Sequence, residues 1–309
     1  MSSIITITPN PCIDISAFVP TLLPEKKLHC TALKKEPGGG GINVSRVIKR
    51  LGAETTAMYL AGGYTGDYFT SMLHAEKVDT LVINIENHTR ENFVVAEGTT
   101  RLQYRFGMPG PVVKETEWKK CLDKLSSLNN MEYIVASGSL TNGIPQDFFA
   151  HIAVIAKQKN AKLILDTSGE PLAAALREAV YMIKPNLGEL SFIAGIEKLS
   201  MDSAIEAARS VIAKKQCEVV VVSMGAAGAL LVTENITEHI KPPPVEIKST
   251  VGAGDSMVAG IVWSLSMNKT FKQALQYGVA CGTAATINAG TALCNVDDIK
   301  YLYELMSNK

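Results

Sequence analysis

Runs of apolar residues long enough for one buried strand recur through this 309-residue chain, and most are followed by a stretch with helical spacing. Residues 4–8, 56–60, 133–137, 163–166, 181–184 and 219–223 read as buried strands. Residues 42–51, 66–75, 115–128, 146–157, 187–193, 203–214 and 255–266 read as helices. A strand apolar on both faces needs cover on both faces. The alternation therefore predicts an α/β fold, a mainly parallel sheet with helices on both sides. In such sheets ligands bind beyond the carboxyl ends of the strands. The length suits a single α/β domain over residues 1–309 with a small appendage.

Two segments interrupt the alternation. One has no helical period; the other reads as a hairpin, Phe93-Val94-Val95-Ala96, a turn at Glu97–Thr100, then Leu102-Gln103-Tyr104-Arg105-Phe106. Together, over about 13–36 and 90–108, they predict a small β lid inserted twice into the α/β body. A small sheet is marginal alone, so it should cover the site, pair with another copy of the chain, or both. A homodimer through the lid is the expectation.

The most unusual residues lie just after predicted strands. Ser249-Thr-Val-Gly-Ala-Gly-Asp-Ser-Met257 leads into a helix. Gly252 and Gly254 let the backbone approach an anion closely. The first amides of the helix have no helical partners and sit at its positive end, where phosphate is favoured. A carboxylate there repels phosphate, so Asp255 needs a reason, and base chemistry on an attacking hydroxyl supplies one. A glycine turn with Asp255 as a helix cap fits the same four letters.

Gly38-Gly39-Gly40-Gly41 opens the helix containing Asn43 and Arg46. Four glycines are costly in backbone entropy, which points to something close to the backbone: a ligand, or a hinge. Asp14 follows the first strand, as a ligand or an ordinary turn residue. Asn186 and Glu189, three apart after a strand, share one helical face. They suit hydrated Mg²⁺ or a capping pair. Ser223, Gly225 and Gly228 follow another strand, and their glycines allow a nucleotide to pass. Lys27, Arg90 and Arg105 lie in or beside the lid segments and suit a second anion, or are solvated surface charges.

Lys+Arg and Asp+Glu number 30 each, so charge gives no case for nucleic acid or an anionic membrane. No apolar run approaches the roughly 20 residues that span a bilayer, and the N-terminus shows no basic-then-apolar signal pattern. Six cysteines form no Cys-x-x-Cys pair, which predicts free thiols in a reducing cytoplasm. There is no P-loop signature, and the histidines have no metal-ligand spacing.

The motifs at 38–46, Asn186-x-x-Glu189 and Gly252–Asp255, in this order and spacing, resemble the ribokinase-like (PfkB-type) sugar kinases along essentially the whole chain. Within that family, Pro37–Val44, Gln103–Phe106, Ser137–Leu140, Asp166–Glu170 and Pro242–Val245 are most similar to the 6-phosphofructokinase branch. The 1-phosphofructokinase and tagatose-6-phosphate kinase branches, the alternatives, typically carry lysine where this chain has Gly40. The resemblance implies ATP-dependent, Mg²⁺-assisted phosphorylation of the C1 hydroxyl of fructose 6-phosphate, the glycolytic step that gives fructose 1,6-bisphosphate. It implies that Asp255 is the base, that Gly252, Ala253 and Gly254 form the anion hole, and that Asp14, Gly38, Gly39 and Asn43 hold the sugar. Arg90, Ser139, Lys27 and Arg105 would face the sugar phosphate. Lys184, Asn186, Ser223, Gly225, Gly228, Val279 and Thr283 would line the nucleotide, with Asn186 and Glu189 toward Mg²⁺. Ser249, Val251, Ala285, Asn288 and Gly290 are similar to the family's K⁺ loop. A non-catalytic sugar-phosphate sensor on the same fold is the alternative of another class, and a sensor has no need of Asp255.

Overall fold

The computed structural model of the protein describes residues 3–307. Its main sheet has nine strands in the order Thr237–Ile240, Ala229–Val232, Cys217–Ser223, Val180–Ile183, Lys162–Asp166, Tyr133–Ser137, Ile4–Thr8, Thr56–Ala61 and Asp79–Asn84. From Cys217–Ser223 to Asp79–Asn84 every pairing is parallel. Ala229–Val232 and Thr237–Ile240 add antiparallel at the other edge.

Alternation of side chains explains the layers. Ile5, Ile7, Ile134, Ala136, Val220 and Val222 enter one core, under helices Glu115–Ser127, Phe148–Gln158, Gly169–Leu176, Leu187–Ala194 and Met201–Ala213. Ile4, Tyr133, Val135, Val219 and Val221 enter the other, under helices Gly40–Arg50, Ala253–Ser266, Phe271–Thr286 and Val296–Ser307. This is the α/β architecture that the strand–helix alternation predicts.

Several elements carry no clear periodic signal. Asp79–Asn84 is an edge strand with one buried residue, so burial leaves little pattern in it. Phe271–Thr286 is buried over most of its length and rich in alanine and glycine, so it lacks an amphipathic contrast. Its start is marked by capping, with Gln273 N donating to Thr270 Oγ1 at 3.3 Å. No helix among the described residues is long and apolar enough to cross a membrane.

A second sheet has the order Thr31–Gly38, Cys12–Val19, Arg90–Glu97, Gln103–Phe106. Cys12–Val19 and Arg90–Glu97 pair in parallel from Cys12 opposite Arg90 to Val19 opposite Glu97. The hairpin is therefore longer on its first arm than its apolar run suggests. Glu97 is buried at the turn, where it accepts Leu22 N at 2.8 Å. Ile13 and Ile15 anchor the sheet in a third core with Ile42, Tyr59 and Phe69. Strand Cys12–Val19 follows closely on Ile4–Thr8, so the small sheet rises from the edge where the parallel strands end.

Candidate active site

Thr8, Ser137, Asp166 and Ser223 each end a parallel strand, and Ser137 and Asp166 line a cavity of about 440 Å³ between the two sheets. Helix Ala253–Ser266 points its N-terminus into that cavity, where Val251, Gly252 and Asp255 form part of the wall. Gly252 has φ +71°, and a Cβ on it would meet Leu293 Cδ2 at 2.6 Å. Glycine is thus required at the turn. The first helical bond runs from Ser256 N to Gly252 O at 2.8 Å, which leaves the preceding amides without helical partners.

The helix cap is Gly252, with no side-chain cap bond. Asp255 therefore does not cap. Its Oδ2 instead accepts from Asn43 Nδ2 at 2.8 Å, across 212 residues of sequence. Burial pushes the Asp255 carboxyl up to about 7, Asp166 adds to the rise, and the Asn43 amide and Lys184 ammonium oppose it. A carboxyl poised near neutrality suits proton abstraction.

Lys184 is buried, with Nζ 3.2 Å from Asp166 Oδ1. Burial alone would lower its ammonium; the Asp166 carboxylate, with Glu189 and Asp255, reverses this and leaves it raised. A Cβ on Gly254 would lie 3.5 Å from Lys184 Nζ. The cation thus sits directly behind the helix N-terminus. Asp166 ends a main-sheet strand as Ser223 does, and that placement was the signal in the sequence that could have singled it out; Asp14 is not a turn residue but lies within strand Cys12–Val19 of the small sheet.

The tetraglycine is explained mainly by protein neighbours. A Cβ on Gly38 would lie 2.1 Å from Asp14 Oδ2, on Gly40 2.1 Å from Ser137 Oγ, and on Gly41 2.6 Å from Thr8 Oγ1. Gly39, at φ +117°, caps helix Gly40–Arg50. Gly39, Gly40 and Asn43 also face the cavity. Asp14 accepts from Cys12 Sγ and Asn92 Nδ2, each at 3.2 Å, and burial raises its carboxyl.

Asn186 and Glu189 form a reciprocal cap: Glu189 N donates to Asn186 Oδ1 at 2.9 Å, and Asn186 N to Glu189 Oε2 at 2.8 Å. The capping alternative is therefore realised, and Glu189 still lines the cavity. Gly228, at φ +93°, abuts its own chain, since a Cβ would lie 1.9 Å from Ile240 O. Gly225 has φ +57° with nothing near its absent Cβ. Ser223 N donates to Pro185 O at 2.9 Å, which ties its strand end to the Asn186 turn. Val279 and Thr283 are buried on helix Phe271–Thr286.

The basic residues separate. Arg105 lines the cavity and donates to Thr250 Oγ1 at 3.1 Å. Arg90 lines a neighbouring cavity, where its terminal nitrogens hold Met108 O at 3.2 Å and Asn10 O at 3.1 Å. Ser139 faces the main cavity and accepts from Asn10 Nδ2 at 3.3 Å. Lys27 is exposed on the connection before Thr31–Gly38 and is not among the residues lining that cavity. Behind the cavity, Ser249 Oγ donates to Gly290 O at 2.6 Å and Val251 N to Ser249 Oγ at 3.2 Å. Asn288 Nδ2 holds Ala284 O at 2.9 Å beside the buried Ala285.

A cavity at the carboxyl edge of a parallel sheet, with an anion-seeking helix end, a carboxyl near neutrality and a buried cation, defines a site for transferring a charged group. The sequence profile of the pfkB family of carbohydrate kinases matches residues 7–298, and this chain belongs to that family. The ATP-dependent 6-phosphofructokinase isozyme 2 of Escherichia coli K12 is 38% identical over 308 residues, 99% of this chain and 100% of that protein. The isozyme 2 of Mycobacterium tuberculosis H37Rv is 40% identical over 303 residues, 98% and 89%. The crystal structure of the phosphofructokinase-2 from Escherichia coli in complex with potassium matches with a TM-score of 0.95 at 38% identity, covering 99% and 100% of the chains. Its complex with fructose-6-phosphate matches with a TM-score of 0.94 at 37% identity, with the same coverage.

Proposed function

We propose that this protein is an ATP-dependent 6-phosphofructokinase that transfers the γ-phosphoryl group to the C1 hydroxyl of fructose 6-phosphate. One observation carries the reading: the Asp255 carboxyl, pushed up to about 7, sits at the N-terminus of helix Ala253–Ser266 in a cavity whose main-sheet wall has Lys184 behind it and whose small-sheet wall carries Arg105. The relatives' named activity supports the same substrate.

In this reading Asp255 takes the proton of the C1 hydroxyl as its oxygen bonds to the γ-phosphorus and the bond to ADP breaks. Phosphoryl transfer asks mainly for positioning and charge stabilisation. The amides of Gly252, Ala253 and Gly254 face the transferred group, where losing one preorganised donor typically costs about 3 kcal/mol. Asp14, Gly38, Gly39 and Asn43 position the sugar. Arg105 and Ser139, with Arg90 and a Lys27 supplied from a second subunit, hold its phosphate. Lys184, Asn186, Ser223, Gly225, Gly228, Val279 and Thr283 form the nucleotide side. Glu189 and Asp166 are hard oxygen donors on one wall, which fits a magnesium ion that keeps most of its waters, and Asn186 stands beside them. That ion would neutralise charge on the phosphates. The hydroxyl of Ser249 and the carbonyls around Val251, Ala285, Asn288 and Gly290 are likewise oxygen donors that fit K⁺. The small sheet acts as a lid that excludes water, which otherwise competes with the sugar as acceptor. Free thiols throughout suit a reducing cytoplasm.

Arg105→Ala should raise the KM for fructose 6-phosphate by about 10- to 100-fold, since a charge-assisted contact to phosphate contributes roughly 1.5–3 kcal/mol. The KM for ATP should change little. Steady-state kinetics with each substrate varied in turn checks this. A rise confined to the ATP KM would mean that the two anions bind the other way round.

A further inference from the structure

Arg46 lies one helical turn after Asn43 and is 2% exposed, yet no step above uses it. Its Nε and Nη2 hold the Glu76 carboxylate, at 3.0 Å and 2.6 Å. Its Nη1 donates to Pro37 O at 2.7 Å and to Asn43 Oδ1 at 3.4 Å. Glu36 lies 3.7 Å away and accepts Thr291 Oγ1 at 2.7 Å. The guanidinium is therefore clamped from several sides, by groups on the small sheet, its own helix and the residue after helix Gly63–Ala75.

A guanidinium has donors only. The oxygen of the Asn43 amide accordingly faces Arg46, and its NH2 faces Asp255. If the amide turned over, its oxygen would meet a carboxylate oxygen. Asp255 would then stay only by keeping a proton to donate, and a protonated Asp255 is no base. We propose that Arg46 is a positioning residue of the phosphoryl-transfer site: by fixing the Asn43 amide it occupies Asp255 Oδ2 and leaves Oδ1 for the acceptor hydroxyl. This rests on the reading of Asp255 as the base.

The test substitutes Arg46→Met together with Glu76→Gln, which removes the clamp and one facing carboxylate and leaves the net charge unchanged; Glu36 keeps Lys34, at 3.0 Å, and Thr291 as partners. The other groups around Asp255 stay in place: Asp166 and Lys184 at the strand ends, Asp14 and Cys12 on the small sheet. Loss of Arg46 would raise the Asp14 carboxyl, and a more protonated Asp14 would lower Asp255, so an upward change in the Asp255 titration reports the Asn43 amide. Carbon-13 NMR of aspartate-labelled, unliganded protein follows the Asp255 carboxyl, assigned by its loss in Asp255→Asn. The donor favours the carboxylate, so freeing it should move the midpoint to higher pH, by about 1 on the pH scale. The kcat/KM at pH 7 should fall about 5-fold and recover as pH rises. An unchanged midpoint in the folded variant overturns the proposal. Should the pair fail to fold, Arg46→Lys keeps the charge but removes the planar fork that reaches Pro37 O and Asn43 Oδ1 together. It should move the midpoint upward as well, and no movement overturns the proposal equally. The NMR titration needs no turnover, so a failure of this inference, read from the Asp255 midpoint, is distinguishable from a failure of the functional reading, read from inactivity on ketose phosphates.

Discussion

Asp255→Asn is expected to lower kcat by at least about 10²-fold, the usual contribution of a positioned general base, while ATP and fructose 6-phosphate still bind. The substitution keeps size and shape. Asn43 Nδ2 can still donate to the new amide oxygen, as it now does to Asp255 Oδ2, so the local geometry survives. Only the proton acceptor is lost. The same change should stabilise the fold. The Asp255 carboxyl is raised to about 7 from the ordinary 3.8, so between those two pH values the unfolded chain releases a proton that the native state keeps. Its contribution to stability therefore declines as pH rises through that window. The variant should melt higher than the wild type, with the gap wider at pH 8 than at pH 4. For the wild type, kcat/KM should climb with pH through about 7. Near-normal kcat in a folded Asp255→Asn would falsify the base assignment.

Leu33→Glu is expected to convert a dimer into monomers and to abolish most activity. Leu33 is 66% exposed on the small sheet, and Phe18, Leu23, Phe93, Leu102 and Phe106 on or beside that sheet are exposed too. So much apolar surface on one small sheet is what an interface between copies presents. We propose that two lids meet there and that each completes its partner's site through Lys27. Because Leu33 already faces solvent in the single chain, a charge there should leave folding intact. Val95 is only half-buried between Ala17 and Tyr104, so a charge at that position would confuse dimer loss with damage to the sheet. Buried in an interface, an unpaired carboxylate costs several kcal/mol, enough to weaken dimerisation by about 100-fold or more. Light scattering across a dilution series, with activity measured on the same samples, checks this. A wild type that is monomeric and fully active at assay concentration contradicts the interface.

The sheet was legible in the sequence because its central strands are buried on both faces, as in Ile4–Thr8 and Tyr133–Ser137. The small sheet was legible as a break in the pattern, but its parallel pairing of Cys12–Val19 with Arg90–Glu97 joins segments far apart in the chain, which no local period encodes. The anion-seeking turn before Asp255 was readable from its glycines. The bond from Asn43 to Asp255 was not, since it joins two motifs through the fold alone. Gly38, Gly40 and Gly41 announced a close approach, yet the atoms that approach include Asp14, Ser137 and Thr8. Sequence shows that space is needed there and leaves open what fills it.

The most direct measurement of the central claim is phosphorus-31 NMR of the product formed from ATP and a ketose phosphate, run side by side with fructose 6-phosphate, tagatose 6-phosphate and fructose 1-phosphate. The account predicts fastest turnover of fructose 6-phosphate, with one ADP released for each new phosphate ester at C1. Turnover of fructose 1-phosphate but not fructose 6-phosphate, or ADP release with no new sugar ester, would contradict it.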